Sequence, residues 1–235
     1  KSGELKSLSV ERIERELRLA IAGQHPNYFF ETLKKCEAIP HLLPELDLPQ
    51  LHNADDPIFQ ALKHFEGQDR MAEERFIVFL TRAGNYGLQE NGEKTQIKNL
   101  IERLKLNRRT AETYALYLDF NEKIMNYASL GEQDVLHLFE EMDTFRRPEK
   151  FTRLLKILGH IIEPAKSSNY VKKLTGFFME ALSETSKLSA RSFFTDEEIA
   201  KTDYSTISQT LRIERAKKIR ETIIEYRTEI KSVDE

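Results

Sequence analysis

Apolar residues recur at intervals of three and four along most of the chain, a rhythm that predicts helices rather than strands. Ile13, Leu17, Ala20 and Ile21 set the first helix, with Ser9 placed as its N-cap. Gly23 and Pro26 mark a stop and a restart, and Tyr28, Phe29, Thr32, Leu33 and Cys36 give the second helix its apolar face. Pro40, Pro44 and Pro49 then impose a loop. Pro57 opens a helix to about Phe65, and Asp55 and Asp56 read as acids at its favourable dipole end rather than as a metal pair. The run Phe76 to Leu80 fits a strand or a buried helix equally well, and Tyr86 to Thr95, with Gly87 and Gly92, is the most loop-like stretch.

Beyond it, Ile97, Leu100, Ile101 and Leu104 form one stripe and Ala111, Tyr114, Ala115 and Leu118 another. The break falls near Leu106–Asn107, with Asn107 as a cap. A helix ends near Asp143, and the next starts with Pro148 in its first turn and a core stripe of Phe151, Leu154, Leu155, Leu158, Ile161 and Ile162. Two more follow: one around residues 169–184, and a long one from about Ser205 whose seam is Ala216, Ile219, Ile223, Tyr226 and Ile230. The expectation is an all-α, elongated bundle of roughly ten helices.

Composition supports this class. Of 235 residues, 40% are hydrophobic and 32% charged, with only 9 Gly and 7 Pro. The net charge of −3 and pI near 6.2 advertise no bulk affinity for nucleic acid, so RNA binding needs local patches, and DNA is not expected. No apolar run approaches a membrane span and no signal peptide is visible. A single Cys36 excludes an internal disulfide and fits a reducing, cytoplasmic setting. A first residue of Lys1 rather than Met leads us to expect a piece of a longer protein.

Candidate chemistry is sparse. No strand-borne Asp-x-Asp pair, phosphate-cradling glycine loop or nucleophile elbow occurs. His25, His41, His52, His64, His137 and His160 never fall at metal-ligand spacing, so no metal and no catalytic residue is expected here. The remaining signal is basic. Lys105, Arg108 and Arg109 form one cluster; Arg146, Arg147, Lys150, Arg153 and Lys156 a second; Arg212, Arg215, Lys217, Lys218 and Arg220 a third. A solvated helix face accounts for most such clusters, and the third wraps around its helix instead of forming one stripe.

Two ordered motifs carry a resemblance. Ser9, Glu11, Arg12 and Glu16, then Phe29, Phe30, Leu33, Cys36 to Ala38 and Leu43 to Glu45, form the first; Leu138, Phe139, Asp143, Arg146 and Pro148 form the second. The chain resembles the neck remainder, body and tail of bacterial class II tRNA nucleotidyltransferases, the CCA-adding enzymes and their poly(A) polymerase relatives. The resemblance implies a neck remainder and start of the body over 1–50, a body over 51–165 and a tail over 166–235. It implies that Arg12 and Glu16, four apart on one helix face, brace the neck. It implies tRNA as partner, gripped on its acceptor and T arms through backbone phosphates by cations such as Arg108, Arg109, Arg146, Arg147, Lys150, Arg212, Arg215, Lys217, Lys218 and Arg220. A catalytic head upstream of Lys1 would use Mg, CTP and ATP, none of them held by this piece, which would be inactive alone. Where relatives with a second, phosphohydrolase activity carry a His-Asp metal pair, this chain has Leu80-Thr81-Arg82-Ala83-Gly84, which cannot replace it. The family's Gly-rich turn before the last helix is also missing from Lys201 to Ser205. A free-standing RNA-binding or adaptor protein, and the same part of a poly(A) polymerase, remain alternatives.

Overall fold

A computed structural model describes residue 5 and residues 7–46, 56–63, 72–91, 95–162 and 166–233. Among these there are twelve α-helices and no strand. They are α1 (Val10–Ala22), α2 (Pro26–Lys35), α3 (Ile39–Leu42), α4 (Pro57–Lys63), α5 (Ala72–Asn91), α6 (Thr95–Arg103), α7 (Arg108–Met125), α8 (Glu132–Glu141), α9 (Pro148–Ile162), α10 (Ser168–Ser186), α11 (Asp196–Lys201) and α12 (Tyr204–Val233). Short 3₁₀ turns lie at Pro44–Leu46, Tyr127–Ser129 and Ala190–Ser192. The all-α class holds, and the count exceeds the sequence expectation through short helices such as α3 and α11.

The chain divides into two compact units: residues 1–118 with 157–165, and 119–156 with 166–235. Two of the boundaries between these units fall inside α7 and α9, and the third lies at 165/166.

In the first unit α5 is the central helix, against which α1, α4 and α6 pack. Its ambiguous apolar run is helical, and Phe76, Ile77, Val78, Phe79 and Leu80 are all fully buried. Phe30 stacks on Phe79 at 5.5 Å, with Phe59 at 6.1 Å, and Leu17 and Ile21 of α1 complete this core. Three sequence expectations need correction. The loop predicted from Tyr86 is helix as far as Asn91, because the roughly 1 kcal/mol cost of a helical glycine is small beside a run of good helix formers such as Leu88, Gln89 and Glu90. The buried face of α2 is Pro26, Asn27 and Phe30, while Tyr28, Thr32 and Cys36 are exposed, Cys36 being the C-cap. On α7, Thr113, Tyr114, Tyr117 and Leu118 are buried whereas Ala115 is exposed.

Caps explain several boundaries. Ser9 Oγ accepts from the Arg12 amide at 3.3 Å, Asp56 Oδ1 from the Ile58 amide at 2.8 Å, and Asn107 Oδ1 from the Thr110 amide at 2.8 Å. Asp56 is therefore a helix start; Asp55 lies outside the described residues. Among the described residues, three that are not glycine occupy the left-handed region, Glu37 (φ 54°), Lys105 (φ 49°) and Asp143 (φ 54°). Each follows a helix end at which the next amide reaches back five residues: Ala38 to the Leu33 carbonyl, Leu106 to Ile101 and Thr144 to Phe139. Only glycine takes that conformation without strain.

The second unit is built on α12, which packs along α8 and α10. Ala216, Ile219 and Ile223 are buried as the seam predicts, with Tyr226 half-buried. A Cβ on Gly176 would lie 2.8 Å from the Tyr226 hydroxyl, so any larger residue on α10 would have to displace the Tyr226 side chain. The aromatic core runs Phe139, Phe151, Phe178, Phe177 and Tyr127, with successive ring centroids 5.0–5.6 Å apart. In place of a glycine-rich turn before α12, Thr202 is extended and the Asp203 carboxylate caps the Thr206 amide at 2.9 Å.

Candidate nucleic-acid interface

The first motif folds into α1 to α3. Arg12 and Glu16 are exposed and, among the described residues, no ion pair joins them; the pair on this helix is Glu14–Arg18 at 2.7 Å. Both side chains instead line a groove. That groove, about 230 Å³, is floored by Leu8, Ile13, Phe29, Leu33, Leu42 and Leu43. The sequence puts Phe29 and Leu33 on the apolar face of the second helix, and the structure leaves both half-buried along this groove. The Glu at the motif's end has a structural partner: Glu45 receives two hydrogen bonds from Arg103, both 2.7 Å, and Arg103 also donates to the Leu42 carbonyl at 3.0 Å. These bonds hold the Arg103 pKa above its usual value. Nothing in the sequence separated Arg103 from its charged neighbours.

Arg82 donates to the Ile161 carbonyl near the end of α9, and Thr81 is buried and donates to the Val78 carbonyl at 2.9 Å. No group of three or more potential ligands forms a metal site among the described residues, and none of their helices is long and apolar enough to cross a membrane.

The basic clusters differ in what holds them. In the first, Arg108 pairs with Glu112 at 2.8 Å, and Arg109 with Glu73 at 3.2 Å and Glu74 at 3.9 Å. The second sits on the turn between α8 and α9. Asp143 closes it, its carboxylate 3.6 Å from Arg147 and 4.0 Å from Arg146, and Arg146 keeps 81% of its side chain exposed. Lys150 and Arg153, one and two turns further on, are partly buried and engage neighbours, and Lys156 is exposed. Between Asp143 and Lys156 five cations face two carboxylates.

The third cluster is largely occupied by its own fold. Arg212 bonds Glu140 at 3.1 Å and Arg220 bonds Glu132 at 2.5 Å, both reaching from α12 to α8. Arg220 and the backbone hold Glu132 below the ordinary carboxylate range. Arg215 lies 3.7 Å above the Phe145 ring and near the Leu188 carbonyl at 3.5 Å. Burial pulls its pKa down, opposed by the charge of Glu140. Lys217 and Lys218, on the outer side, pair along the helix with Glu214 and Glu221 at 2.5 and 2.6 Å. Among the predicted contacts, the second cluster is therefore the one whose cations are least committed.

Residues 1–48 match a family model described as "Probable RNA and SrmB- binding site of polymerase A". The chain is 27% identical over 175 residues to a "Multifunctional CCA protein" of Tolumonas auensis, an alignment covering 66% of this chain and 43% of that protein. It is 29% identical over 161 residues to a "CCA-adding enzyme" of Pseudomonas entomophila, covering 66% and 40%. A "CCA-adding enzyme" of Blochmanniella floridana matches at 24% over 209 residues, covering 80% and 51%. Over these stretches the chain is similar to CCA-adding enzymes. It spans about half the length, or less, of the curated relatives it matches. No solved structure gives a significant match.

Proposed function

We propose that this chain is the tRNA-holding helical part of a CCA-adding tRNA nucleotidyltransferase. The observation that carries the proposal is the coincidence of two matches: an RNA-binding family model over residues 1–48, and CCA-adding relatives over two thirds of the chain or more. The exposed turn carrying Arg146 and Arg147 offers two guanidiniums to RNA phosphates, with Lys150 a turn away. Such contacts read helical shape and backbone rather than base sequence, which suits a protein that serves every tRNA. Phosphate contacts at Arg108 and Arg109 require those side chains to leave Glu112, Glu73 and Glu74.

Nucleotidyl transfer itself belongs, in this reading, to another part of the protein that holds Mg, CTP and ATP. Arg12 and Glu16, on the lips of the apolar groove, brace the junction with that part. The family model's reference to polymerase A favours one second reading, the same helical part of a poly(A) polymerase. The test is a gel shift with tRNA at low salt, followed by incubation of the chain with tRNA, CTP, ATP and Mg. A shifted complex without nucleotide incorporation is expected. Absence of any shift overturns the RNA reading, and incorporation by the chain alone overturns its non-catalytic role. Extension of tRNA by a long A tail in the whole protein would favour the second reading.

A further inference from the structure

Arg215 reads from sequence as one more cation offered to RNA, yet its surroundings give it a different task. It reaches from α12 to the turn between α8 and α9, where its guanidinium carbon sits over the Phe145 ring, 3.7 Å from the centroid. Phe145 in turn meets Phe139 edge-on at 5.9 Å, and Phe139 meets Phe151 at 5.2 Å. Phe145 is thus clamped between the core and Arg215. The residues on either side of that anchor are Thr144, fully buried, and Arg146, largely exposed. The amides of Arg146 and Arg147 bond the Asp143 carbonyl at 3.1 and 2.9 Å, so the backbone that carries both arginines is closed directly around Phe145.

We propose that Arg215 is a positioning residue: by stacking on Phe145 it holds the Asp143–Arg147 turn in the shape that presents Arg146 and Arg147 to an RNA phosphate, without meeting the RNA itself. The inference rests on the reading of this chain as a tRNA-binding part. A planar guanidinium is required for it, because an ammonium keeps the charge but cannot cover a ring face in the same way. Through-space attraction of Arg215 to RNA would need only the charge.

The experiment measures tRNA affinity by fluorescence anisotropy across a salt series, with a thermal melt for each variant. Arg146→Ala/Arg147→Ala is expected to weaken binding about tenfold and to flatten the slope of log affinity against log salt by between about 1 and 2, as loss of two phosphate contacts requires. Arg215→Lys, which preserves net charge, is expected to lose roughly three- to fivefold and to flatten the slope in the same sense. Phe145→Leu, which leaves Arg215 in place, is expected to copy it. Added to the Arg146→Ala/Arg147→Ala background, Arg215→Lys should cost less than about 1.5-fold more, because its effect passes through those two side chains. Wild-type affinity in both Arg215→Lys and Phe145→Leu overturns the inference, as does an Arg215→Ala loss that multiplies in full with the double variant. Normal binding by Arg146→Ala/Arg147→Ala overturns it too while leaving the RNA-binding reading standing. Failure of the wild-type chain to bind tRNA removes both.

Discussion

Two basic stretches of the second unit, residues 143–156 and 212–220, look alike in composition and are held differently by their surroundings. In the first, Arg146 and Arg147 are gathered by a single carboxylate, Asp143, at 4.0 and 3.6 Å. In the second, Arg212, Arg215 and Arg220 each have a separate destination on the α8 side: Glu140, Phe145 and Glu132. A cation already committed within its own fold must be released before it meets a phosphate, and that release offsets what it gains. Local charge therefore does not measure readiness to bind RNA; how closely each cation is held, and whether it has a carboxylate to itself, does.

The comparison can be broken from below. Phe139 is fully buried and supports both stretches, through Phe145 and through α8. Phe139→Ala is expected to cost about 3–5 kcal/mol in a denaturant melt and to abolish the distinction altogether. At the next scale, Arg146→Ala/Arg147→Ala should weaken tRNA binding about tenfold with little change in melting temperature. Arg212→Ala/Arg220→Ala should do the reverse, lowering the melting temperature slightly while leaving affinity within about twofold, since exposed pairs contribute little individually. Equal loss of affinity in the two double variants would erase the difference between the stretches.

Smaller effects sharpen it. Asp143 and Glu37 both close a helix with a left-handed backbone, φ 54° in each. Glu37→Gly is expected to stabilise the chain by about 0.5–1 kcal/mol, the relief of strain less the entropy of a freer unfolded chain. Asp143→Gly gains the same relief and also removes the acid that competes with phosphate for Arg146 and Arg147, so tRNA affinity should rise about two- to threefold at moderate salt. Last comes pH. Arg220 holds Glu132 below the usual carboxylate range. A lowered folded pKa contributes stability that is present above the unfolded value and lost as pH falls through the folded one. Arg220→Ala should therefore lose less stability on acidification than the wild type, as read from melts between pH 6 and pH 3 on the order of the carboxylate range.

The sequence made the helices legible because apolar spacing is set by the same burial that the fold satisfies. The α9 stripe from Phe151 to Ile162 and the α12 seam at Ala216, Ile219 and Ile223 are buried where periodicity puts them. Ser9, Asp56 and Asn107 cap as their side-chain chemistry suggests. The errors lie where spacing alone is silent. Residues 86–91 stay helical despite Gly87, and α2 is rotated so that Phe30 rather than Tyr28 meets the core. Whether a cation is spent or available depends on partners 72 to 88 residues away, as with Arg212–Glu140 and Arg220–Glu132. No local pattern encodes that distance. The same holds for the groove beside Arg12 and Glu16, which takes its lining from three helices.

The central claim is that this helical chain holds tRNA through backbone phosphates. Its most direct test is the salt dependence of tRNA affinity, measured by anisotropy from about 50 to 300 mM monovalent salt, with a single-stranded RNA of equal length as competitor. Phosphate contacts should give a linear fall of log affinity with log salt, a slope corresponding to several contacts, and weaker competition by the unstructured strand. Affinity indifferent to salt, or no binding at the lowest salt, would contradict it.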